Sequence, residues 1–191
     1  MKIEKLEEAI MVLEKRIPEN FCDKIIEYVD HINKFEDQGV MGDTESHKSD
    51  NRVVQGYSLS LNQSKISDIV FHGHTNEIIK QNYINYKFKF PQLQTSKLTQ
   101  VDILKYTPGG KYGAHTDHGF GCERTLTVIL NLNENYEGGD FVFFHQDNKT
   151  EMKRVSCKKG TVIMFPSNFL YPHAVEPVTK GTRYSIVSWL L

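Results

Sequence analysis

Apolar residues recur at helical spacing in two stretches of the first half of the chain. The first stretch carries five of them on one face: Phe21, Ile25, Ile26, Val29 and Ile32. Pro18 precedes these residues and suits the first turn of a helix. Residues 66–86 show the same spacing of apolar side chains. Both patterns predict amphipathic α-helices.

The segments on either side of the first helix have no single clear period. Residues 10–17 fit either a short strand or the end of another helix, since their apolar residues also follow helical spacing. Residues 36–52 are polar, contain two glycines and predict a surface loop. The stretch VVQGYSLSL that follows predicts a strand.

After Pro91 the pattern changes to short runs of β-branched and aromatic residues. Six runs predict strands: VDILKY, TLTVILNLN, DFVFFH, KRVSC, TVIMF and RYSIVSWLL. Turn residues such as TPGG, QDNK and KKG separate them. We expect one α+β domain over residues 1–191, with a jelly-roll core in residues 99–191. Residues 1–98 are expected to supply helices that pack outside the sheet and to shape the substrate entrance.

The charge balance argues against a large anionic partner. The chain carries 24 acidic and 23 basic side chains, for a net charge of −1, so no broad basic field favours nucleic acid or an anionic membrane. No apolar run is close to the length of about 18 residues that a transmembrane helix needs. The N-terminus also lacks the apolar core of a signal peptide. Cys22, Cys122 and Cys157 are widely spaced and suit free thiols. We therefore expect a soluble, cytoplasmic protein.

Candidate chemistry is concentrated in the segment YGAHTDHGFG, residues 112–121. In extended backbone, His115 and Asp117 would point to the same face, where one metal ion can contact both. The alternative is a solvated turn that the aspartate caps. If a metal is bound, a third ligand should come from another strand, and the downstream histidines are His145 and His173.

Two histidines and one carboxylate form the ligand set of non-haem iron(II) oxygenases, which leaves coordination positions open. Arg183 follows His173 by ten residues, and a buried guanidinium offers a planar fork for a substrate carboxylate. Ser185 shares the strand face of Arg183 and can support the same carboxylate. The same ligands also suit a zinc-dependent hydrolase, and a non-catalytic jelly-roll binding protein would keep the same pocket.

Three further features are expected to carry no chemistry. His72 and His74 lie in a helical pattern, where side chains two residues apart diverge by about 200° around the axis. His118 follows the His–Asp pair and is expected to face solvent. Gly138 and Gly139 predict a tight hairpin turn.

Three motifs resemble the 2-oxoglutarate- and iron(II)-dependent dioxygenases of the prolyl-4-hydroxylase-like branch: YTPGGKYGAHTDH, YEGGDFVFF and PHAVEPVTKGTRYSIVSWL. The YEGGD and HAVEPVTKGTRYS segments are especially similar to bacterial PKHD-type hydroxylases. The resemblance covers residues 99–191, and upstream only the general pattern of a helix before the barrel is shared. It implies a double-stranded β-helix fold, with Fe(II) as the metal and 2-oxoglutarate and O2 as cosubstrates. Ascorbate is a further candidate cofactor.

The resemblance also implies roles for individual residues. The implied iron ligands are His115, Asp117 and His173. Arg183 would bind the distal carboxylate of 2-oxoglutarate with help from Ser185, and Tyr106 would hydrogen-bond the cosubstrate. Some members place a tyrosine on the strand after the His–Asp pair, where it helps to hold the cosubstrate. That strand here reads RTLTVILNLN, so Thr127 is the candidate replacement.

The implied reaction is oxidative decarboxylation of 2-oxoglutarate to succinate and CO2, coupled to hydroxylation of an unactivated C–H bond. By analogy with the branch, the substrate is a prolyl residue of a protein or peptide. Free amino acids and other small molecules remain alternatives. Asp117 argues against a halogenase, because related halogenases carry a small residue in place of the carboxylate.

Overall fold

The computed structural model describes residues 5–41, 46–47, 49–63, 65–95, 97–119 and 121–191. Within the predicted loop at residues 36–52, positions 42–45 and 48 lie outside the described residues. Several of the remaining positions form short antiparallel pairings instead of an irregular loop. The loop prediction was therefore only partly right.

Two α-helices form where the apolar periodicity predicts them, α1 over Glu19–Ile32 and α2 over Ile66–Lys89. Pro18 stands directly before α1, where its missing N–H breaks no helical hydrogen bond. The helix ends at Asn33, whose left-handed backbone (φ 45°) lets its N–H bond to the carbonyl of Val29. Among the described residues, neither helix combines the length and the hydropathy needed to cross a membrane.

The strands are numbered in chain order. They are β1 Met11–Leu13, β2 Glu36–Asp37, β3 Val40–Met41, β4 Ser46–His47, β5 Arg52–Val53, β6 Gln55–Ser58, β7 Leu98–Tyr106, β8 Lys111–His115, β9 Leu126–Asn131, β10 Tyr136–Gly138, β11 Phe141–Phe144, β12 Glu151–Val155, β13 Val162–Pro166, β14 His173–Val175, β15 Val178–Gly181 and β16 Arg183–Leu190.

Two antiparallel sheets contain most of these strands. The major sheet has the order β1-β13-β9-β16-β7-β6-β2, and the minor sheet has the order β12-β11-β14-β8-β5. The remaining strands form two-stranded ribbons, β10 with β15 and β3 with β4. From β7 onward the chain crosses repeatedly between the sheets, with β7, β9, β13 and β16 in the major sheet and β8, β11, β12 and β14 in the minor sheet, as in a jelly roll.

The major sheet is buried on both faces, and successive side chains along each strand point to opposite faces. Along β9, Val128 and Leu130 belong to the apolar cluster that contains residues of α1 and α2. Ile129 between them belongs to the cluster shared with Phe141 and Phe143 of the minor sheet. The helices therefore cover the outer face and the minor sheet covers the inner face. This confirms the predicted α+β jelly roll with external helices.

The first half of the chain contributes strands as well as helices. Residues 11–13, which the sequence left undecided, form β1 and pair with β13 at the edge of the major sheet. The predicted strand VVQGYSLSL overlaps two strands that join different sheets: β5 pairs with β8, whereas β6 pairs with β7. The chain thus passes from the minor to the major sheet at Val54.

Candidate active site

The sheet register brings the two candidate histidine ligands together. His115 ends β8 and His173 begins β14, and the two residues lie directly opposite each other in the minor sheet. The short strand that His173 opens was not among the runs that the sequence predicts as strands. Asp117 lies two residues beyond the end of β8, so the strand geometry assumed for the His–Asp pair holds only for His115.

The three side chains nevertheless converge. The Nε2 atom of His115 lies 3.7 Å from Oδ1 of Asp117, and Nε2 of His173 lies 3.5 Å from Oδ2. One ligand atom from each residue lies within 4.8 Å of the other two. In the described part of the chain this is the one cluster of His, Cys, Asp or Glu with such spacing. Metal–ligand bonds of about 2.0–2.2 Å place the donors of one ion at most about 4.4 Å apart, and the separations of 3.7 and 3.5 Å lie within that limit.

Hydrogen bonds to backbone carbonyls orient both imidazoles. Nδ1 of His115 donates to the carbonyl of Gly113 at 2.9 Å, and Nδ1 of His173 donates to the carbonyl of Tyr171 at 3.1 Å. A carbonyl can only accept, so each ring keeps its proton on Nδ1. Nε2 of each ring is the nitrogen that faces Asp117, the arrangement that metal-binding histidines use.

The protonation states of the cluster suit metal binding. Burial, reinforced by His173, lowers the pKa of His115 to about 3, so its imidazole is neutral at physiological pH. Burial alone would raise the pKa of Asp117. The two imidazoles and the hydroxyl of Thr127 outweigh burial and hold that pKa below its ordinary value. The site thus combines a neutral imidazole with an ionised carboxylate.

Two residues position the carboxylate of Asp117. Thr127 of β9 donates a hydrogen bond to Oδ2 at 2.7 Å, and its hydroxyl also pairs with that of Ser167 at 2.8 Å. Arg124 places Nη1 3.9 Å from Oδ1, and its guanidinium stacks 3.5 Å above the ring of Trp189. The family resemblance suggested Thr127 as a contact of the cosubstrate, whereas in the structure its hydroxyl donates a hydrogen bond to Asp117. Arg124 lies in a loop and has no periodic signal that sequence analysis could use.

Aromatic packing connects His115 to residues at the end of the 36–52 segment. The ring of Tyr112 stacks on that of His115, with centroids 3.6 Å apart, and the guanidinium of Arg52 lies 4.6 Å from the Tyr112 centroid. Next to this stack, the N–H of Gly113 bonds to the carbonyl of Asn51. A Cβ at Gly113 would lie 1.8 Å from Oδ1 of Asn51, so a larger residue there would require the Asn51 side chain to move. The end of the predicted loop is therefore part of the site's surroundings.

Across the barrel, Arg183 of β16 is buried in the major sheet with 1% of its surface exposed. Its Nη1 donates to Oγ of Ser185 at 3.0 Å. Nε and Nη2 are buried and have no hydrogen-bond partner among the described residues. These two N–H groups share one edge of the guanidinium, and that edge can bind a carboxylate through two parallel hydrogen bonds. A buried cation is costly unless it is paired, so this edge is suited to an anionic ligand.

Tyr106 completes the buried group around Arg183. The two residues are paired across β7 and β16, and the guanidinium carbon lies 5.2 Å from the Tyr106 ring centroid. Burial raises the pKa of Tyr106, so its phenol stays protonated and able to donate a hydrogen bond. The predicted site residues thus form two groups, His115, Asp117 and His173 at the end of the minor sheet and Arg183, Ser185 and Tyr106 in the major sheet.

Four other histidines, among them the alternative third ligand His145, lie outside this cluster. His72 and His74 belong to α2, where the ring of His74 contacts Phe21 edge-on. His145 is exposed beyond the end of β11. His118 is exposed, and its Nδ1 donates to the carbonyl of Arg124 at 2.9 Å.

Residues 101–191 match the family model of the 2OG-Fe(II) oxygenase superfamily. A PKHD-type hydroxylase of Synechococcus sp. (strain JA-2-3B'a(2-13)) is 31% identical over 139 residues, which cover 69% of this chain and 56% of that protein. The human prolyl 3-hydroxylase 2 is 38% identical over 66 residues, 35% of this chain and 9% of that protein. The chain therefore spans only about half the length of the first of these relatives.

Two solved structures share the fold. A prolyl hydroxylase from Trichoplax adhaerens, in complex with a hypoxia inducible factor oxygen degradation domain peptide fragment, superposes with a TM-score of 0.75 at 16% identity. The superposition covers 96% of this chain and 83% of that one. A Pseudomonas putida prolyl-4-hydroxylase superposes with a TM-score of 0.69 at 19% identity, covering 95% of this chain and 91% of that one.

Proposed function

Residues 101–191 belong to the 2OG-Fe(II) oxygenase superfamily, and on that premise we propose that the protein is an Fe(II)- and 2-oxoglutarate-dependent dioxygenase. It hydroxylates an unactivated C–H bond and releases succinate and CO2. The curated relatives reported above are named hydroxylases, which supports this reaction. The donor set of His115, Asp117 and His173 fits Fe(II), for which two imidazoles and one carboxylate are a preferred facial set.

One observation carries the choice of cosubstrate. The buried edge of Arg183, with Nε and Nη2 unpartnered among the described residues, is a bidentate carboxylate site inside the same barrel as the ligand cluster. A ligand that reaches both places needs a carboxylate at one end and metal-binding oxygens at the other. 2-Oxoglutarate has this shape, with its distal carboxylate for Arg183 and its 2-oxo acid end for the metal.

The chain's own residues bind and orient the metal and the cosubstrate and exclude water from them. His115 and His173 direct their Nε2 atoms toward Asp117, and Thr127 holds Asp117 in place. Ser185 fixes Arg183, and we propose that Tyr106 donates a hydrogen bond to the cosubstrate beside it. The bound iron and 2-oxoglutarate supply the oxidative decarboxylation that drives oxygen insertion. The protein needs no general base for this chemistry, so its contribution is positioning and the exclusion of water.

We propose a prolyl residue of a protein or peptide as the primary substrate. The named activities of the human relative and of both structural neighbours support the prolyl group, and the Trichoplax structure contains a peptide fragment. The stack of Arg52, Tyr112 and His115 supports a substrate entrance shaped by the end of the 36–52 segment. A screen of proline-containing peptides and free amino acids, with product mass as the readout, tests this assignment.

The remaining assignments are proposals of the same kind. We propose that residues 1–191 act as one catalytic domain, since β1, β2 and β6 from the first half are built into the major sheet. We also propose a cytoplasmic location, which the three free cysteines support because they suit a reducing compartment.

The decisive experiment measures 2-oxoglutarate binding and turnover together. Titration of the anaerobic Fe(II) protein with 2-oxoglutarate should produce a weak visible charge-transfer band, and addition of O2 with a substrate should release succinate. His115→Ala should abolish the band. His145→Ala is the matched control, because His145 is exposed and outside the cluster. Hydrolysis with bound zinc and no succinate release would instead support the hydrolase alternative, which leaves the unpartnered edge of Arg183 without a role.

A further inference from the structure

The YEGGD segment, residues 136–140, lies against the side chain of Arg183. The short strand β10 that begins this segment pairs with β15, and Tyr136 lies opposite Gly181, two residues before Arg183. The two glycines of the segment adopt positive φ angles of 72° and 67°. The two glycines were expected to form a hairpin turn, but the strands on either side of them, β10 and β11, belong to different sheets, and the segment lies beside a buried guanidinium.

Tyr136 fixes its hydroxyl near the far end of Arg183. The hydroxyl donates to the carbonyl of Cys157 at 3.2 Å and lies 3.4 Å from Oδ1 of Asn131. Asn131 is paired with Ser185 across β9 and β16, and Ser185 is the hydrogen-bond partner of Arg183. Burial raises the pKa of Tyr136, and the strongest opposing influence is the charge of Arg183.

Gly139 supplies the other wall of the Arg183 site. A Cβ at this position would lie 3.1 Å from Cδ of Arg183 and 3.3 Å from Cε2 of Tyr136. It would also lie 3.0 Å from Cγ2 of Val178. The missing side chain therefore lets the aliphatic stem of Arg183 and the ring of Tyr136 pack against the same backbone position. A substituent there would push the guanidinium away from its present position.

We propose that Tyr136 and Gly139 form a socket that positions Arg183, and that this socket sets the affinity for the distal carboxylate of the cosubstrate. Tyr136 is thus a positioning residue that acts through Arg183. No residue of the triad contacts the socket in the hydrogen bonds described, so metal affinity should be independent of it. The inference rests on the proposed function, because it concerns the binding of 2-oxoglutarate.

The test is a calorimetric titration of 2-oxoglutarate into Mn(II)-loaded protein without O2, where binding is measured in the absence of turnover. Tyr136→Phe keeps the ring and removes the hydroxyl, and should raise the Kd for 2-oxoglutarate about 3- to 10-fold, the range expected for one lost hydrogen bond. Gly139→Ala should raise it further. Titration of Mn(II) into each variant should give the wild-type affinity.

Tyr83→Phe is the matched control. Tyr83 is a partly buried tyrosine of α2 whose hydroxyl accepts a hydrogen bond from Thr95, remote from Arg183. Its loss should leave the Kd for 2-oxoglutarate unchanged. If Tyr136→Phe also binds 2-oxoglutarate like the wild type, or loses Mn(II) affinity in parallel, the socket role is overturned and the proposed function stands. If the wild-type protein binds no 2-oxoglutarate, both are overturned.

Discussion

His115 and His173 occupy directly opposite positions on the neighbouring strands β8 and β14, with ring centroids 4.3 Å apart. Residues opposite each other in an antiparallel pair are the closest side-chain neighbours that a sheet offers. The backbone ladder itself therefore sets the separation of two candidate ligands that are distant along the chain. Asp117 is held differently, by the hydroxyl of Thr127 from the facing sheet.

The Thr127 contact predicts a loss of metal affinity without a loss of fold. Thr127→Val removes the hydroxyl at nearly constant volume and frees Asp117 to rotate. Loss of a residue that orients a metal ligand reduces metal affinity about 10-fold or more. Anaerobic Fe(II) titration measures this change.

Thr161→Val is the control for that substitution. Thr161 is buried like Thr127, but its Oγ1 has no hydrogen-bond partner among the described residues. Its replacement should leave Fe(II) affinity unchanged and should not lower the free energy of unfolding, because no hydrogen bond is lost. Equal Fe(II) affinities for the two variants would show that Thr127 does not position the carboxylate.

Two substitutions of Arg183 should separate the contribution of its charge to 2-oxoglutarate binding from the contribution of its hydrogen-bonding geometry. Arg183→Gln should raise the Kd for 2-oxoglutarate about 100-fold or more, since two charge-assisted hydrogen bonds are lost. Arg183→Lys keeps the charge but not the fork, and should cost about 10-fold. Arg154→Gln, which alters an exposed ion pair with Glu176, is the control. Thermal unfolding checks that each variant is folded, and similar affinities for the Lys variant and the wild type would argue against bidentate binding.

The sequence predicts those parts of the fold that have a strong period. The apolar spacing of α1 and α2 and the β-branched runs of β9 and β16 are examples. The strands β8 and β14 were not predicted, although they carry His115 and His173. Their sequences KYGAH and HAV are short and contain few β-branched residues, so only pairing with neighbouring strands defines them.

Positioning residues escape prediction for a related reason. Arg124 and Tyr136 reach the site through contacts between segments that are distant in sequence, and no local spacing reports such contacts. The proposed ligand set drew on the spacing of His115 and Asp117 and on the family resemblance, which implied His173 as the third ligand. Thr127 shows the limit of the resemblance, because it was proposed as a contact of the cosubstrate but its hydroxyl donates to Asp117.

The buried carboxylate of Asp68, outside the site, should contribute to the free energy of unfolding. This carboxylate of α2 is 0% exposed and accepts hydrogen bonds from Tyr28 at 2.5 Å, Tyr57 at 2.8 Å and the N–H of Ser60 at 3.0 Å. Asp68→Ala would leave buried donors unpaired and should lower the free energy of unfolding by about 3 kcal/mol. Denaturant unfolding measures the change. Glu77→Gln, which removes an exposed pair with Lys80, should change it by less than about 0.5 kcal/mol.

The cysteines predict a contrast in thiol reactivity. Burial raises the pKa of Cys22 to about 11, so at pH 8 only about 0.1% of this thiol is ionised. Its alkylation should be slow at neutral pH and should rise about 10-fold for each pH unit below 11. Cys122 is partly exposed and should react about 100-fold faster at pH 8, as mass spectrometry of iodoacetamide-treated protein can measure. In denaturant both should react alike, because unfolding removes the burial that protects Cys22. Rapid labelling of Cys22 in the folded protein would contradict its place on the buried face of α1.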